Sequence, residues 1–232
     1  MAGLASDGLV VDERRRTTTK VRVVTTRNQQ VARVDYETDT DVAAATETAL
    51  LDRAGAAGKA RAIVVSDYLK GVVTRNVMAH LVELARTYGI PLLVDPKIPH
   101  LEHYAGATLV TPNHHEAETA THRRIRTHAE AQGAASALRD RVRSEGVLIT
   151  RGEQGMWLLH GEYDGHLPAV AREVADVTGA GDTVIATLAV AMAAGATSAE
   201  AAWLANHAAG IVVGKFGPAT LSASELLQAC HT

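Results

Sequence analysis

The run Asp176-Val177-Thr178-Gly179-Ala180-Gly181-Asp182 leads directly into an apolar segment, residues 183–194, whose small and aliphatic side chains predict a buried helix. Gly179 and Gly181 let the backbone bend sharply and bring bare N–H groups close to a ligand. A helix that starts here adds its unpaired amide donors and the positive end of its dipole. The run therefore predicts an anion-binding turn whose donors are the amides of Gly179, Ala180 and Gly181.

Asp182 closes this run and lies at the lip of the predicted anion site, where a carboxylate is unfavourable unless it has a task. One such task is to accept a proton from an attacking hydroxyl during phosphoryl transfer. Another is to cap the helix by accepting hydrogen bonds from its first amides. Gly-x-Gly-Asp loops are common, so the run alone leaves both roles open.

The composition is that of one globular α/β domain. The chain has 232 residues, of which 47% are hydrophobic and 21% charged, enough to build a sizeable core. A net charge of -3 gives no sign of a nucleic-acid or membrane-surface partner, since both attract basic proteins. One cysteine, Cys230, excludes an internal disulfide, and residues 1–11 lack the pattern of a signal peptide. We therefore expect a cytoplasmic protein.

The first part of the chain predicts a small antiparallel unit. Residues 1–16 are polar and show no hydrophobic periodicity, which is typical of an irregular segment ahead of a domain. Residues 17–26 and 31–36 are rich in β-branched side chains, and the four polar residues between them indicate the turn of a β-hairpin. Helical spacing follows over residues 41–55.

The remainder alternates between strands and helices. Buried strands are predicted at 62–65, 92–94, 108–110 and 147–149, and helices at 74–88 and 129–144. Polar residues follow each strand, and the carboxyl ends of parallel strands share one edge, so these polar clusters predict a single site there. Two further strands, 156–159 and 166–167, flank a turn at 161–165, and the last two helices are predicted at 200–213 and 222–230.

Other chemistries find less support. Six histidines lie between residues 100 and 128, but none has the helical or paired Cys/His spacing of a zinc site. Neither a Gly-x-Ser-x-Gly elbow nor a phosphate-binding Gly-x-x-x-x-Gly-Lys loop is present. Phosphoryl transfer would therefore depend on the loop at Gly179.

The run from Asp176 to Asp182, with its small-residue helix, closely resembles the carboxy-terminal signature of the ribokinase-like (PfkB) carbohydrate kinases. This resemblance implies an α/β fold with a mainly parallel sheet flanked by helices and a lid-like hairpin. It implies Asp182 as the catalytic base and the amides of Gly179, Ala180 and Gly181 as holders of the transferring phosphate. Asp176 and Thr178 would belong to a site for a monovalent cation such as K+.

Three further segments match the same family in the same order. Asn113-His114-His115-Glu116 resembles the family's Asn-x-x-Glu motif, whose acidic residue helps to hold Mg2+ near the nucleotide, through water. The turn after the fourth strand resembles one that lines the ATP site, and residues 206–217 correspond to the part that covers the adenine. The ATP-binding residues implied are Asn113, Glu116, Thr150, Arg151, Gly152, Gly155 and Asn206. Each segment alone also fits a strand-end turn or a packed helix.

Within the family, the segments 27–30, 66–71 and 95–97 closely resemble the kinase domain of bacterial ADP-heptose synthesis. That subgroup phosphorylates D-glycero-D-manno-heptose 7-phosphate at O1, using ATP and Mg2+. A substrate that already carries a phosphate needs cationic side chains to bind it. The substrate-binding residues implied are Arg27, Asn28, Gln30, Arg33, Asp67 and Lys97.

Two departures from the family pattern define what we expect of this chain. The family's first central strand and its early sugar-binding motif have no counterpart ahead of residue 17, so the kinase domain, residues 17–232, is expected to be amino-terminally truncated. Its open sheet edge would then favour a homodimer or a partner that completes the sheet. A nucleotidyltransferase His-x-Gly-His motif is also absent. Two alternatives stay open: a nucleotide-binding remnant or interaction protein, and a kinase for another sugar.

Overall fold

The structure is a computed structural model that describes residues 6–26, 29–56, 60–170, 174–217 and 219–231. Residues 6–18 form neither helix nor strand, but side-chain contacts hold them to the domain. The Arg15 guanidinium donates to the carbonyls of Thr40, at 2.8 Å, and Lys70, at 2.6 Å. The start of the described chain is therefore packed against the loop that follows the first strand of the central sheet.

An antiparallel hairpin comes first, made of β1 (Thr19–Val24) and β2 (Gln30–Tyr36). Its register pairs Val21 with Val34, and a bulge lies between Val23 and Val24. The alternating valines and polar residues explain the strands, since β-branched side chains suit the pleated conformation. The predicted hairpin is confirmed.

A six-stranded sheet forms the centre of the molecule, and its strands lie side by side in sequence order. They are β3 (Ile63–Ser66), β4 (Leu92–Asp95), β5 (Leu109–Val110), β6 (Gly146–Thr150), β7 (Met156–His160) and β8 (Tyr163–Leu167). Neighbours from β3 to β6 are parallel, whereas β7 and β8 run antiparallel. The carboxyl ends of β3 to β6 therefore meet at one edge, as the sequence predicted.

Seven α-helices lie in the described part of the chain. They are α1 (Ala44–Ala56), α2 (Arg75–Tyr88), α3 (His114–Thr121), α4 (His128–Val142), α5 (Ala180–Ala193), α6 (Ser198–Val213) and α7 (Ala223–Cys230). Thr74 caps α2, and Gly89 ends it in the left-handed conformation with φ of 61°. Capping boxes begin α3, α4, α6 and α7.

Helices cover both faces of the sheet. On one face Leu92 and Val94 of β4 join a core with Leu138 of α4, and on the other face Leu93 packs with Leu188 of α5. All five side chains are fully buried. Such continuous apolar strands are characteristic of a parallel sheet between two helical layers. None of the helices in the described ranges is both long and apolar enough to cross a bilayer.

Three local expectations differ from the structure. The sequence indicates residues 111–116 only as the polar stretch after the third strand, but a helix, α3 (His114–Thr121), begins within them, because Asn113 and Glu116 make a capping box at its start. Residues Ile98–Tyr104 form a 3-10 helix that the sequence did not indicate. β8 begins at Tyr163 rather than at residue 166, so the turn before it is shorter than predicted.

Candidate active site

The glycine-rich run adopts the conformation that the sequence predicted. Gly179 is the N-cap of α5 and has φ of 81°, a left-handed value that glycine adopts without strain. The amide of Ala180 donates to the Val177 carbonyl at 3.2 Å, whereas those of Gly181 and Asp182 have no backbone acceptor among the described residues. A Cβ built on Gly181 would meet no atom within 4 Å. The first turn of α5 therefore presents free donors to open space, as an anion site requires.

A cavity of about 530 Å³ opens beside this turn, and most of its lining is apolar. Ala180 and Gly181 form part of its wall. The lining brings together four of the predicted ATP-binding residues, Thr150, Gly152, Gly155 and Asn206. Its size suits a nucleotide.

The turn between β6 and β7 shapes this cavity. Gly155 has φ of 75°, and an added Cβ would lie 2.1 Å from the Leu167 carbonyl oxygen, so only glycine fits. The Arg151 side chain is 4% exposed and is bonded to the Gln154 side-chain oxygen. Its Nε and Nη1 have no hydrogen-bond partner in the part of the chain that the structure describes. Burial lowers the pKa of Arg151, and unpaired buried donors of this kind are costly unless water or a ligand satisfies them.

Asn113 and Glu116 lie at the start of α3, outside the cavity lining. The Asn113 side chain accepts from the Glu116 amide at 3.0 Å, and Glu116 Oε2 accepts from the Asn113 amide at 3.0 Å. Glu116 Oε1 bonds Lys97 Nζ at 2.7 Å. Burial alone would lower the pKa of Lys97, but its hydrogen bond to Glu116 and the charges of Asp95 and Glu116 raise it above the usual value. Lys97, predicted to bind the substrate phosphate, and Glu116, predicted to hold Mg2+, thus pair with one another.

Asp95, the last residue of β4, is the most strongly perturbed acid at this edge of the sheet. Burial raises its pKa to about 6, and the charges of Glu116, Asp182 and Asp67 add to the rise while Lys97 opposes it. The charges of these acids thus act on Asp95 from the ends of neighbouring strands and helices. Among the described residues, however, no group of three or more acidic, histidine or cysteine side chains is arranged to hold a metal ion.

Asp67 follows β3 and points into the protein, with only 1% of its surface exposed. Its Oδ2 accepts from Tyr104 Oη and bonds His100 Nδ1, each at 2.7 Å, and its Oδ1 accepts from the Leu69 amide at 2.8 Å. Burial raises the pKa of Tyr104, which keeps this hydroxyl a donor. The carboxylate therefore holds its own loop in place.

A second cavity, of about 420 Å³, lies between the base of the hairpin and the loop after β3. It is lined by Thr18, Lys20, Ser66, Asp67, Tyr68, Lys70, Val72 and Val73. Gln30 and Arg33 are exposed on β2, where Arg33 Nε bonds the Asp35 carboxylate at 3.0 Å. Arg27 and Asn28 lie outside the described residues.

The loop that carries Asp176 contacts the end of α6. The amides of Ala175 and Asp176 both donate to the Val213 carbonyl, at 2.7 and 3.1 Å. Asp176 Oδ1 accepts from the Thr178 amide at 2.8 Å. Hydrogen bonds from the side chain and the amide of Thr178 lower the pKa of Asp176. Carboxylate and carbonyl oxygens thus lie close together beside the glycine run.

Two residues of this site had no role in the sequence analysis. Tyr68 donates from its hydroxyl to Asp182 Oδ1 at 3.3 Å. Asp95 ends a buried strand next to three other acids. Both belong to polar stretches that follow strands, which is the signal that could have identified them, but only the tertiary structure brings them to Asp182.

Comparison with known proteins identifies the family. A profile of the pfkB family of carbohydrate kinases matches residues 1–225. The chain belongs to this family. Among pfkB relatives, the bifunctional protein HldE of Citrifermentans bemidjiense is 46% identical over 227 residues, which are 97% of this chain and 46% of that protein. The chain therefore spans less than half the length of this curated relative.

Solved pfkB-like structures establish the fold. Phosphofructokinase-2 from Escherichia coli, in complex with potassium, matches with a TM-score of 0.76 and 18% identity over 94% of this chain and 71% of that one. Ribokinase from Arabidopsis thaliana, complexed with ribose and ATP, matches with a TM-score of 0.71 and 19% identity over 93% and 69%. The fold is thus ribokinase-like, as the sequence predicted.

Proposed function

We propose that this protein transfers the γ-phosphate of ATP to a hydroxyl of a sugar phosphate, with D-glycero-D-manno-heptose 7-phosphate as acceptor and the 1,7-bisphosphate as product. One observation carries the proposal: Asp182 lies on the open first turn of α5, between the nucleotide-sized cavity and the cleft formed by the second cavity. Gly181 lines the cavity, and Tyr68, which bonds Asp182, lines the cleft.

The nucleotide is proposed to occupy the apolar cavity, with its phosphates toward Ala180 and Gly181. Free amides and the helix dipole favour negative charge there. Arg151, in the turn after β6, has two buried nitrogens without a partner among the described residues, but it does not belong to the cavity lining, so its predicted contact with ATP would need a rearrangement of its side chain. Asn113 and Thr150 would contribute from the ends of neighbouring elements.

The acceptor is proposed to enter the cleft under the hairpin. Lys20 and Lys70 line it, and cationic side chains suit a substrate that already carries a phosphate. Lys97 would bind the same phosphate, together with Arg27, Asn28, Gln30 and Arg33. Asp67 would stabilise the conformation of the loop after β3. The segments that resemble heptose 7-phosphate kinases support this acceptor over an unphosphorylated sugar.

The reaction is one displacement at phosphorus. Asp182 takes the proton of the acceptor hydroxyl while the hydroxyl oxygen forms a bond to the γ-phosphorus. The bond between that phosphorus and the bridging oxygen of the departing ADP breaks at the same time. The amides at the start of α5 bind the negative charge that spreads over the transferring group. Glu116, through water, and Asp95 would hold the Mg2+ that accompanies ATP, and this ion would neutralise further phosphate charge. Asp176 and Thr178 would hold a monovalent cation that supports the shape of the glycine run.

The decisive experiment measures ADP release with ATP, Mg2+ and the heptose 7-phosphate, in wild type and in Asp182→Asn. We expect turnover to fall by about a hundredfold to ten-thousandfold, the usual loss when a general base is removed. ATP affinity, measured by calorimetry, should change little, since the variant keeps the cavity. Asp140→Asn is the matched control, because this exposed aspartate lies in the last turn of α4, which leads to the opposite edge of the sheet.

Equal turnover in wild type and Asp182→Asn would refute the assignment of the base. A folded wild type that binds ATP but releases no sugar-dependent ADP would instead support the nucleotide-binding alternative. One observation favours the form of that alternative in which the chain is an interaction protein. β3 is an edge strand of the described sheet and Val64 within it is 44% exposed, and an open edge of this kind suits a partner. A panel of other sugars and sugar phosphates would identify a different acceptor.

A further inference from the structure

Tyr68 makes a side-chain contact with the proposed base that bridges two distant parts of the chain. Its Oη donates to Asp182 Oδ1 at 3.3 Å, across 114 positions of sequence. The distance is at the long end of the hydrogen-bond range. The phenol ring is 54% exposed and lines the proposed acceptor cleft. A single side chain thus contacts both the cleft and the carboxylate.

The loop that carries Tyr68 is held firmly from the protein side. Buried Asp67 bonds the Leu69 amide, the Tyr104 hydroxyl and the His100 ring, as described above. Leu69 has φ of 55°, a left-handed value that is unusual for a non-glycine residue and is stabilised by these bonds. The backbone on both sides of Tyr68 is therefore fixed.

Contacts further along the loop have the same effect. Gly71 has φ of 72°, and an added Cβ would lie 1.8 Å from the Thr40 carbonyl oxygen. The Lys70 carbonyl accepts from Arg15 at 2.6 Å, and the Lys70 ammonium bonds Glu37 at 2.6 Å. Loops with so many specific contacts usually position a functional side chain. In this loop Tyr68 is the side chain directed to the site.

We propose that Tyr68 is a positioning residue for Asp182, an inference that rests on the proposed function. A carboxylate rotates over a broad range about its last torsion, and the two oxygens of an exposed aspartate are otherwise equivalent. The Tyr68 hydroxyl occupies one oxygen, so the other is directed to the acceptor hydroxyl. Alignment of this kind acts on the reacting geometry rather than on binding affinity.

The first test is Tyr68→Phe, which removes the hydroxyl and keeps the ring. We expect kcat to fall by about tenfold, with the KM for the sugar phosphate within about twofold of wild type, because only the orientation of the base is lost. Tyr88→Phe is the matched control, since Tyr88 is 52% exposed at the end of α2, outside both cavities described above. An unchanged kcat, or a change in KM alone, would overturn the proposal.

The second test does not depend on activity. Unfolding equilibria are measured for Tyr68→Phe, Asp182→Ala and the double variant. If the hydrogen bond forms, the unfolding equilibrium constant of the double variant should differ by about threefold from the value expected by adding the effects of the two single variants. Strictly additive effects would refute the contact. If wild type does not turn over the heptose phosphate, the proposed function fails. The double-mutant cycle of Tyr68 and Asp182 still decides whether the two side chains are hydrogen-bonded.

Discussion

Asp95 shows how the site acts on the stability of the fold at the scale of one residue. Burial and nearby carboxylates raise its folded pKa to about 6, from 3.8. The ionised form is thus disfavoured in the folded state, so this destabilisation is absent below pH 4 and complete above about pH 6. The positive charge of Lys97 opposes this rise in pKa and so offsets part of the cost of ionising the buried carboxyl group.

Asp95→Asn tests this account. The amide imitates the neutral acid, so we expect the variant to be more stable than wild type at pH 8, by about 1 kcal/mol after allowance for partial exposure. The gain should shrink at pH 5, where folded wild type is already largely protonated. Denaturant unfolding at both pH values measures the difference, with Asp140→Asn as control. A gain of the same size at both pH values would contradict the raised pKa.

At the scale of elements, the start of α5 does two things that can be separated. It begins a helix of the core, and it leaves amides facing an open cavity. Most helix starts satisfy such donors with a side-chain cap, as Thr127 does for α4. No side-chain hydrogen bond from the N-cap does so at α5, which is the arrangement expected of a ligand site.

Gly181→Ala should therefore separate ligand binding from folding. The added methyl meets no protein atom within 4 Å, and alanine favours helix over glycine by up to about 1 kcal/mol. We expect an unchanged or higher melting temperature but an ATP affinity lower by about tenfold, because the methyl would occupy the proposed position of the phosphate. Calorimetry and thermal unfolding measure both quantities.

Gly55→Ala in α1 provides the control, since its Cβ also meets nothing within 4 Å and this helix does not line the cavity. Its ATP affinity should equal that of wild type. A Gly181→Ala variant that binds ATP normally would exclude the first turn of α5 from phosphate binding.

At the scale of the whole molecule, the hairpin has an apolar face that is partly exposed, with the Arg16 guanidinium 4.6 Å from the centroid of the Tyr36 ring at one end of it. Val21, Val23, Val34 and Tyr36 share this face and are 43 to 49% exposed. Charged residues, including Arg22 and Arg33, occupy the opposite face. An exposed apolar surface of this kind suits a twofold contact between copies of the chain, so we propose a homodimer through the hairpin.

Val21→Glu tests the dimer. It places a charge in the middle of the apolar face, and we expect light scattering to give a monomer for the variant and a dimer for wild type. Arg22→Glu changes the neighbouring residue on the opposite face and should leave the mass unchanged. A wild-type monomer would contradict the proposal, and would leave the open edge at β3 as the surface for a different partner.

Contiguous sequence predicted most of the elements. The strands β3 to β7, the helices α2, α4, α5, α6 and α7, and the hairpin follow from hydrophobic period and from caps, which are local signals. The same signals missed α3, although Asn113 and Glu116 have the spacing of a capping box. The same two residues also fit the family's Asn-x-x-Glu motif, so their identity alone does not distinguish a ligand site from a helix start.

The glycine turn, the helix behind it and the place of Asp182 at their junction follow from consecutive residues, because φ preferences and amide donors are local properties. The surroundings of Asp182 depend on how distant parts of the chain pack. The bond from Tyr68, the raised pKa of Asp95 and the pairing of Lys97 with Glu116 all depend on distances across neighbouring strand ends. Burial and charge coupling act through space, and no period or motif in the chain records them.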